Sequence, residues 1–257
     1  MISVICCYNN KAAVQSMLCN SLKYQDTEYE TVLVDNTQNT FKSAAQALNH
    51  GFNLSRGEYI IFAHQDIIFE DKNFLNDIVE YIDFLDGESI IGAAGIKEKK
   101  SVYSNITHGN EHYTVGKYRV TDPVKIQTLD EVLIGVKRSV FQKLYFDDTT
   151  CDNWHLYGVD LCLSAKKIGI DSYVIPIVFH HNSGGNVNKG YMDSLSKVVR
   201  KHKSEFKQIH TTISSVNTLS YQKSFYNLTY YSKKYWRPKL KKIILIKETL
   251  LTVLKKQ

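Results

Sequence analysis

The sequence predicts an α/β protein built on a mostly parallel, doubly wound sheet, and three observations carry that expectation. Short apolar runs alternate with stretches of helical spacing from residue 2 to residue 94, the order produced when strands are joined by crossover helices. One run, Tyr59-Ile60-Ile61-Phe62-Ala63, is apolar throughout and rich in β-branched and aromatic residues, as in a strand covered on both faces. The first three runs each stop at polar side chains, and open α/β sheets take their ligands at the carboxyl ends of strands.

The elements follow in order. Residues 2–7 form a strand ending at Tyr8-Asn9-Asn10, and residues 11–24 carry apolar side chains at 14, 17, 18 and 22, a helical spacing. A second strand over 31–34 ends at Asp35-Asn36. Residues 44–54 read as a helix broken by Gly51, ahead of the strand that stops at His64-Gln65-Asp66. Residues two apart in an extended chain point the same way, so His64 and Asp66 emerge together at that strand's end. An amphipathic helix over 74–85, stopped at Gly87, leads to a short buried strand over 90–94. Residues 97–121 are polar, tyrosine-rich and without period, which predicts a loop or ragged hairpin near the site. Strand-like runs at 124–128 and 133–136 flank Leu129-Asp130-Glu131, and a short helix follows over 139–144. A loop over 146–156 holds Asp147, Asp148, Asp152, Trp154 and His155; a helix over 159–168 stops at Gly169. A last strand over 173–179 runs into His180-His181-Asn182-Ser183-Gly184-Gly185.

Composition bounds the class. At 257 residues the chain suffices for one large domain, or one domain with an appendage, and either buries an ample core. No apolar run approaches the roughly 18 residues of a membrane span. Met1 leads at once into Ile2-Ser3-Val4-Ile5-Cys6, so no secretory leader is expected. Five cysteines without metal-type spacing predict reduced thiols and a cytoplasmic protein, with Cys6, Cys7 and Cys162 as packing residues. The net charge of +6 resides in the tail, where Lys233, Lys234, Arg237, Lys239, Lys241, Lys242, Lys247, Lys255 and Lys256 face the single acid Glu248.

Val4-Ile5-Cys6-Cys7-Tyr8-Asn9, then Val32-Leu33-Val34-Asp35-Asn36, then Leu48-Asn49-His50-Gly51, then Ser55-Arg56-Gly57 and the strand through Asp66 follow one another in a telling order. Together they resemble the first strands, the Asn-x-Gly helix and the acidic metal motif of glycosyltransferases of the GT-A fold, specifically the family-two-like group. Tyr157-Gly158-Val159-Asp160-Leu161-Cys162-Leu163 and Phe179-His180-His181 extend the likeness to Gly185. The resemblance implies a GT-A domain over 1–212, its sheet mixed but mostly parallel and flanked by helices, with a basic amphipathic helical extension over 213–257. It also implies transfer of a sugar from a nucleotide-diphosphate donor, foremost a UDP-sugar, to a glycan, with inversion and with Mn²⁺ or Mg²⁺ as cofactor.

Residue roles follow from matching positions. Asp66 corresponds to the last acid of the family's Asp-x-Asp motif and His180 to a histidine that completes the metal site, with His181 its competitor. His64 replaces the motif's first acid. It suits Mn²⁺ better than Mg²⁺, or else contacts the donor. Asp35 corresponds to the acid that reads the base, framed by Tyr8 and Asn9, and Asn49 belongs to the same nucleotide-binding set. A general base takes the proton of the attacking hydroxyl. The family's acidic pair at the head of the late helix is here Tyr157 and Gly158, which leaves Asp160 as the expected base. Asp152 and His155 are its substitutes. Asp130 is expected to orient donor or acceptor, and Trp154 to stack on a sugar face.

In the tail, Leu240, Ile243, Ile244, Leu250, Leu251 and Leu254 recur at helical spacing among lysines, with Trp236 and tyrosines ahead of them. That pattern fits either the surface of an anionic membrane or a packing contact. The expected protein is a cytoplasmic enzyme of surface-polysaccharide biosynthesis, peripheral on the membrane, acting on a glycan or lipid-linked glycan. A non-catalytic scaffold of the same fold is the alternative. No nucleic-acid recognition motif accompanies the basic tail.

Overall fold

The computed structural model describes residues 1–99, 101–109, 112–182 and 188–221. Strand β1 (Ile2–Tyr8) leads to Asn10, whose side chain accepts the Ala13 N–H and starts α1 (Lys11–Val14). A π-helical turn, Gln15–Cys19, and α2 (Asn20–Leu22) continue it. After β2 (Tyr29–Asp35) comes α3 (Ala44–Leu54), capped by Ser43, which accepts the Gln46 N–H. Gly51 does not break α3. A Cβ there would lie 2.5 Å from Ile5 Cγ2 and 3.0 Å from Val34 Cγ2, so the glycine lets the helix sit close on β1 and β2.

β3 (Tyr59–Ala63) precedes β4 (Ile67–Ile68), α4 (Phe74–Phe84), β5 (Ile90–Gly92) and β6 (Ala94–Ile96). The tyrosine-rich segment forms three short strands, β7 (Val102–Ser104), β8 (Thr107–His108) and β9 (Tyr113–Thr114). Next come β10 (Val124–Ile126), β11 (Thr128–Leu129), β12 (Leu133–Lys137) and α5 (Arg138–Phe141). α6 (Tyr157–Lys167), β13 (Ser172–Val174), β14 (His180–His181), α7 (Lys189–His202), β15 (Gln208–His210) and β16 (Ser215–Asn217) complete the described chain.

Among the described residues the main sheet has seven strands in the order β10, β13, β5, β12, β3, β1, β2. β1 pairs in parallel with β2 and β3, and β13 with β5, whereas β12 runs antiparallel between β3 and β5. The sheet is mixed, as the GT-A likeness implied, and less parallel than the strand–helix alternation alone argued. An apolar run buried on both faces carries no mark of its direction, so β12 could not be oriented from sequence. The two faces are filled differently. Ile61 joins Val4, Leu18, Ile78 and Leu133 in one core, while Phe62 meets Phe141 and Phe146 on the other side at ring-centroid distances of 4.7 and 4.8 Å.

A smaller sheet, β4, β14, β8, β9, packs the segment around residue 108 against the end of the last core strand. Compactness divides the chain into Met1–Thr218 and Leu219–Gln257. The first unit continues past residue 212 because β15 and β16 pair with each other and are tied back to it. Thr128 Oγ1 donates to His210 O at 2.6 Å, and Thr212 Oγ1 to Asp130 Oδ2 at 2.8 Å. The basic amphipathic stretch from Pro238 lies outside the described residues. Among the described residues no helix is long and apolar enough to cross a membrane.

Candidate active site

Three parallel strands set the geometry. Their register places Tyr8 opposite Asp35 and Ile5 opposite Phe62, so β1, β2 and β3 end at one edge of the sheet. Tyr8 Oη donates to Asp35 Oδ2 at 2.8 Å, and the Thr37 N–H donates to Asp35 Oδ1 at 2.8 Å. The Thr37 amide, followed by the Tyr8 hydroxyl, holds the Asp35 carboxyl below its ordinary range, and the bond to Asp35 raises the Tyr8 phenol. Asn9 and Gln65 lock the tips of β1 and β3 together. Gln65 Oε1 accepts the N–H groups of Asn9 and Asn10, and Gln65 Nε2 donates to Asn9 Oδ1 at 2.9 Å. A cavity of about 270 Å³ opens here, with Tyr8, Leu48, Gln65, Asp66 and Trp154 in its wall.

His64 and Asp66 line this cavity and converge with His181, one ligand atom of each lying within 4.8 Å of the others. His181 Nε2 lies 3.3 Å from Asp66 Oδ1, and the Tyr157 hydroxyl lies 3.4 Å from His64 Nε2. Burial first, then the neighbouring His181, lowers the His64 pKa, so its ring stays neutral and keeps a lone pair to donate. Two imidazoles and one carboxylate suit Mn²⁺ and similar borderline cations better than Mg²⁺. This triad uses His181 where the family likeness pointed to His180. Neighbouring residues of a strand face opposite ways, and β14 turns the buried His180 away from the cluster, where Nδ1 meets Thr107 Oγ1 at 3.0 Å and the ring stacks on His112. Behind His181 stands His108, whose Nε2 lies 3.1 Å from His181 Nδ1; burial and His181 lower its pKa to about 4.

A second cavity of about 610 Å³ shares His64 and Trp154 with the first and reaches back along His108, Asp130, Glu131 and Tyr191. His155 also lines it, with Nε2 3.1 Å from Asn188 Oδ1. Asp130 accepts from Thr212 on one carboxyl oxygen and from the Val132 N–H on the other. Glu131 was passed over in the sequence, where it looks like part of a polar turn. It enters α6 from the side, with the N–H groups of Gly158 and Val159 directed at its carboxyl, and burial and Asp130 push that group up to about 8. Its Oε1 is buried without a hydrogen-bond partner.

Three expected site residues lie outside the lining of both cavities. Asp160 is 2% exposed and bound to Lys201 Nζ and His202 Nε2, each at 2.7 Å, so it faces α7 rather than either cavity. Asp152 pairs with Lys197 at the surface. Asn49 spends both polar atoms on Phe146, donating to its carbonyl at 2.8 Å and accepting its N–H at 3.1 Å. Tyr8, Asn9, His64, Asp66, Asp130, Trp154 and His155 line the cavities, and Asp35 is bonded to Tyr8 of the smaller one.

Comparison with known proteins bears on the family and the fold. Residues 3–209 match the model described as a glycosyltransferase-like family. A curated relative, "ATP synthase subunits region ORF 6" of Fuscovulum blasticum, is 25% identical over 158 residues, covering 59% of this chain and 62% of the relative. The chain thus spans about three fifths of that relative's length. S. aureus TarS residues 1–349, solved with UDP-GlcNAc, superposes with a TM-score of 0.55 at 16% identity over 78% of this chain and 66% of that one. GalNAc-T7 with UDP, GalNAc and Mn²⁺ gives 0.57 at 13% over 77% and 47%. The mannosyltransferase PcManGT of Pyrobaculum calidifontis, with GDP-Man and Mn²⁺, gives 0.53 at 14% over 80% and 65%. These structures share the GT-A fold with the chain.

Proposed function

The chain belongs to the glycosyltransferase-like family, and on that premise we propose that it transfers a glycosyl group from a nucleoside-diphosphate sugar, foremost a UDP-sugar, to a glycan hydroxyl with inversion. The observation that carries the proposal is the convergence of His64, Asp66 and His181 between a cavity walled by Tyr8, which His64 and Asp66 line, and a larger one, which His64 and His181 line. In this reading Asp35 accepts an N–H of the base, and Tyr8 and Asn9 flank the ring. His64, Asp66 and His181 hold the cation, Mn²⁺ in preference to Mg²⁺, which when bound offsets the charge gathering on the departing diphosphate. Trp154, common to both cavities, offers an aromatic face to the sugar, and the larger cavity receives the acceptor. The acceptor is a surface-type glycan, free or lipid-linked, presented to a cytoplasmic enzyme.

The test is release of nucleoside diphosphate from a panel of UDP- and GDP-sugars with and without Mn²⁺. Turnover should require the cation and vanish in Asp66→Ala and His181→Ala. Activity that survives both substitutions and chelation would refute the cation role. One observation favours a second reading, a non-catalytic glycan-binding scaffold: Asp160, the acid that the family likeness leaves at the head of α6, is sequestered by α7. Calorimetry decides between the two, because a scaffold of that kind would bind neither UDP with Mn²⁺ nor any donor.

A further inference from the structure

Resting on the transfer reaction proposed above, we infer that Glu131 is the general base, a carboxylate delivered from the strand side into space that a side chain at position 158 would otherwise occupy. Three observations lead there. First, a Cβ built on Gly158 would lie 3.1 Å from Glu131 Cγ and 3.6 Å from its Cδ, so side chains at 131 and 158 compete for one volume. In this chain the glycine is on the helix and the carboxylate comes from the turn before β12. Second, Glu131 lines the larger cavity together with His64 of the cation cluster and Trp154. Third, its Oε1 lacks any hydrogen-bond partner although buried, an arrangement that is costly in a folded protein and is resolved when a hydroxyl binds there.

The other carboxylates around the site are already engaged. Asp66 belongs to the cation cluster, Asp35 is held by Tyr8 and Thr37, Asp130 accepts from Thr212 and Val132, and Asp160 and Asp152 are ion-paired to lysines. The elevated proton affinity of Glu131 is in keeping with a group whose task is to take a proton from an alcohol. In the step itself, the acceptor oxygen forms the new bond to the anomeric carbon while its O–H bond breaks, and the proton passes to Glu131 Oε1. The bond from that carbon to the β-phosphate oxygen breaks, and the diphosphate leaves with the electron pair.

The experiment uses the full chain and three readouts: UDP binding with Mn²⁺ by calorimetry, UDP release from a UDP-sugar panel, and the melting temperature. Glu131→Gln keeps the shape and can still accept the α6 N–H groups. It should retain UDP affinity and, at pH 5 where the wild-type carboxyl is protonated, the melting temperature, while kcat falls by about 10²–10⁴-fold, the span typical of a lost general base. Glu131→Gly combined with Gly158→Asp returns a carboxylate to the same volume from the helix side and should recover turnover to within about tenfold of wild type. Turnover by Glu131→Gln at the wild-type rate would overturn the inference and leave the transferase reading standing, with Glu131 as a helix cap only. Loss of UDP affinity in step with kcat would also overturn it. Wild-type protein that neither binds UDP nor turns over any donor would sink both. Should Glu131→Gln fail to fold, the double variant decides: recovered turnover supports the base, and a folded, UDP-binding but inactive double variant refutes it.

Discussion

His180 and His181 occupy the same two-residue strand and face opposite ways, which makes the site sensitive to a single residue of register. His181 turns inward and brings His108 with it, since the Nε2 of one ring lies 3.1 Å from the Nδ1 of the other. With Nδ1 engaged in this way, Nε2, the nitrogen beside Asp66, is the one that would face a cation in the proposed site. Replacing His108 by Ala should therefore weaken Mn²⁺ binding by about 10–100-fold with little change in UDP affinity measured without metal. Unchanged Mn²⁺ affinity by titration calorimetry or electron paramagnetic resonance would exclude that role. Glu131 makes a second prediction, on stability. Its carboxyl sits near 8 in the fold against an ordinary value of 4.5, so the folded state holds the proton more tightly than the unfolded one. The stability this contributes is complete below the unfolded value and is lost as pH rises through about 8. The melting temperature of wild type relative to Glu131→Gln should fall steadily between pH 5 and pH 8.5 on that account. Parallel melting curves across the range would contradict the burial argument.

At the scale of elements, α6 and α7 are joined by a buried charge cluster in which Asp160 meets Lys201 and His202, and Lys201 also reaches Asp147 at 2.9 Å. Removing one member of a buried pair leaves the others uncompensated. Asp160→Ala should cost about 3–5 kcal/mol, on the order of 10 °C in melting temperature, while the protein that remains folded keeps its turnover. Equal melting points with abolished turnover would restore Asp160 as a catalytic residue. This pair also shows what sequence could and could not disclose. Period and apolar content located the main strands and helices, because burial on one or both faces leaves a repeating trace. The same signals could not tell a helix-head carboxylate facing a cleft from one facing a neighbouring helix. Asp160 and Glu131 are both acids near apolar runs, and only tertiary packing sends one toward Lys201 and the other toward Gly158. The strand tips at Tyr8, Asp35, His64 and Asp66 were legible because their positions are local, set by where an apolar run stops. The third arm of the cluster came from a strand over a hundred residues later, where a shift of one position exchanges His180 for His181.

Across the whole molecule, the two compact units differ in composition as well as in position along the chain. The unit ending at Thr218 contains every residue assigned to the cleft, whereas the run of lysines from Lys233 to Lys256 lies entirely in the other. If that tail serves to bring the enzyme to an anionic surface where lipid-linked acceptors reside, catalysis and localisation should separate on truncation. A chain ending at Thr218 should release UDP from free donor at the full-length rate but no longer float with vesicles containing phosphatidylserine. The full-length protein should float at low ionic strength and detach progressively as salt is raised, since each lysine near such a surface contributes about 1 kcal/mol and the field decays within a Debye length. Equal flotation of the two chains, or attachment indifferent to salt, would remove the tail from any role in membrane contact. A truncated chain that no longer binds UDP would show instead that the tail belongs to the transferase fold.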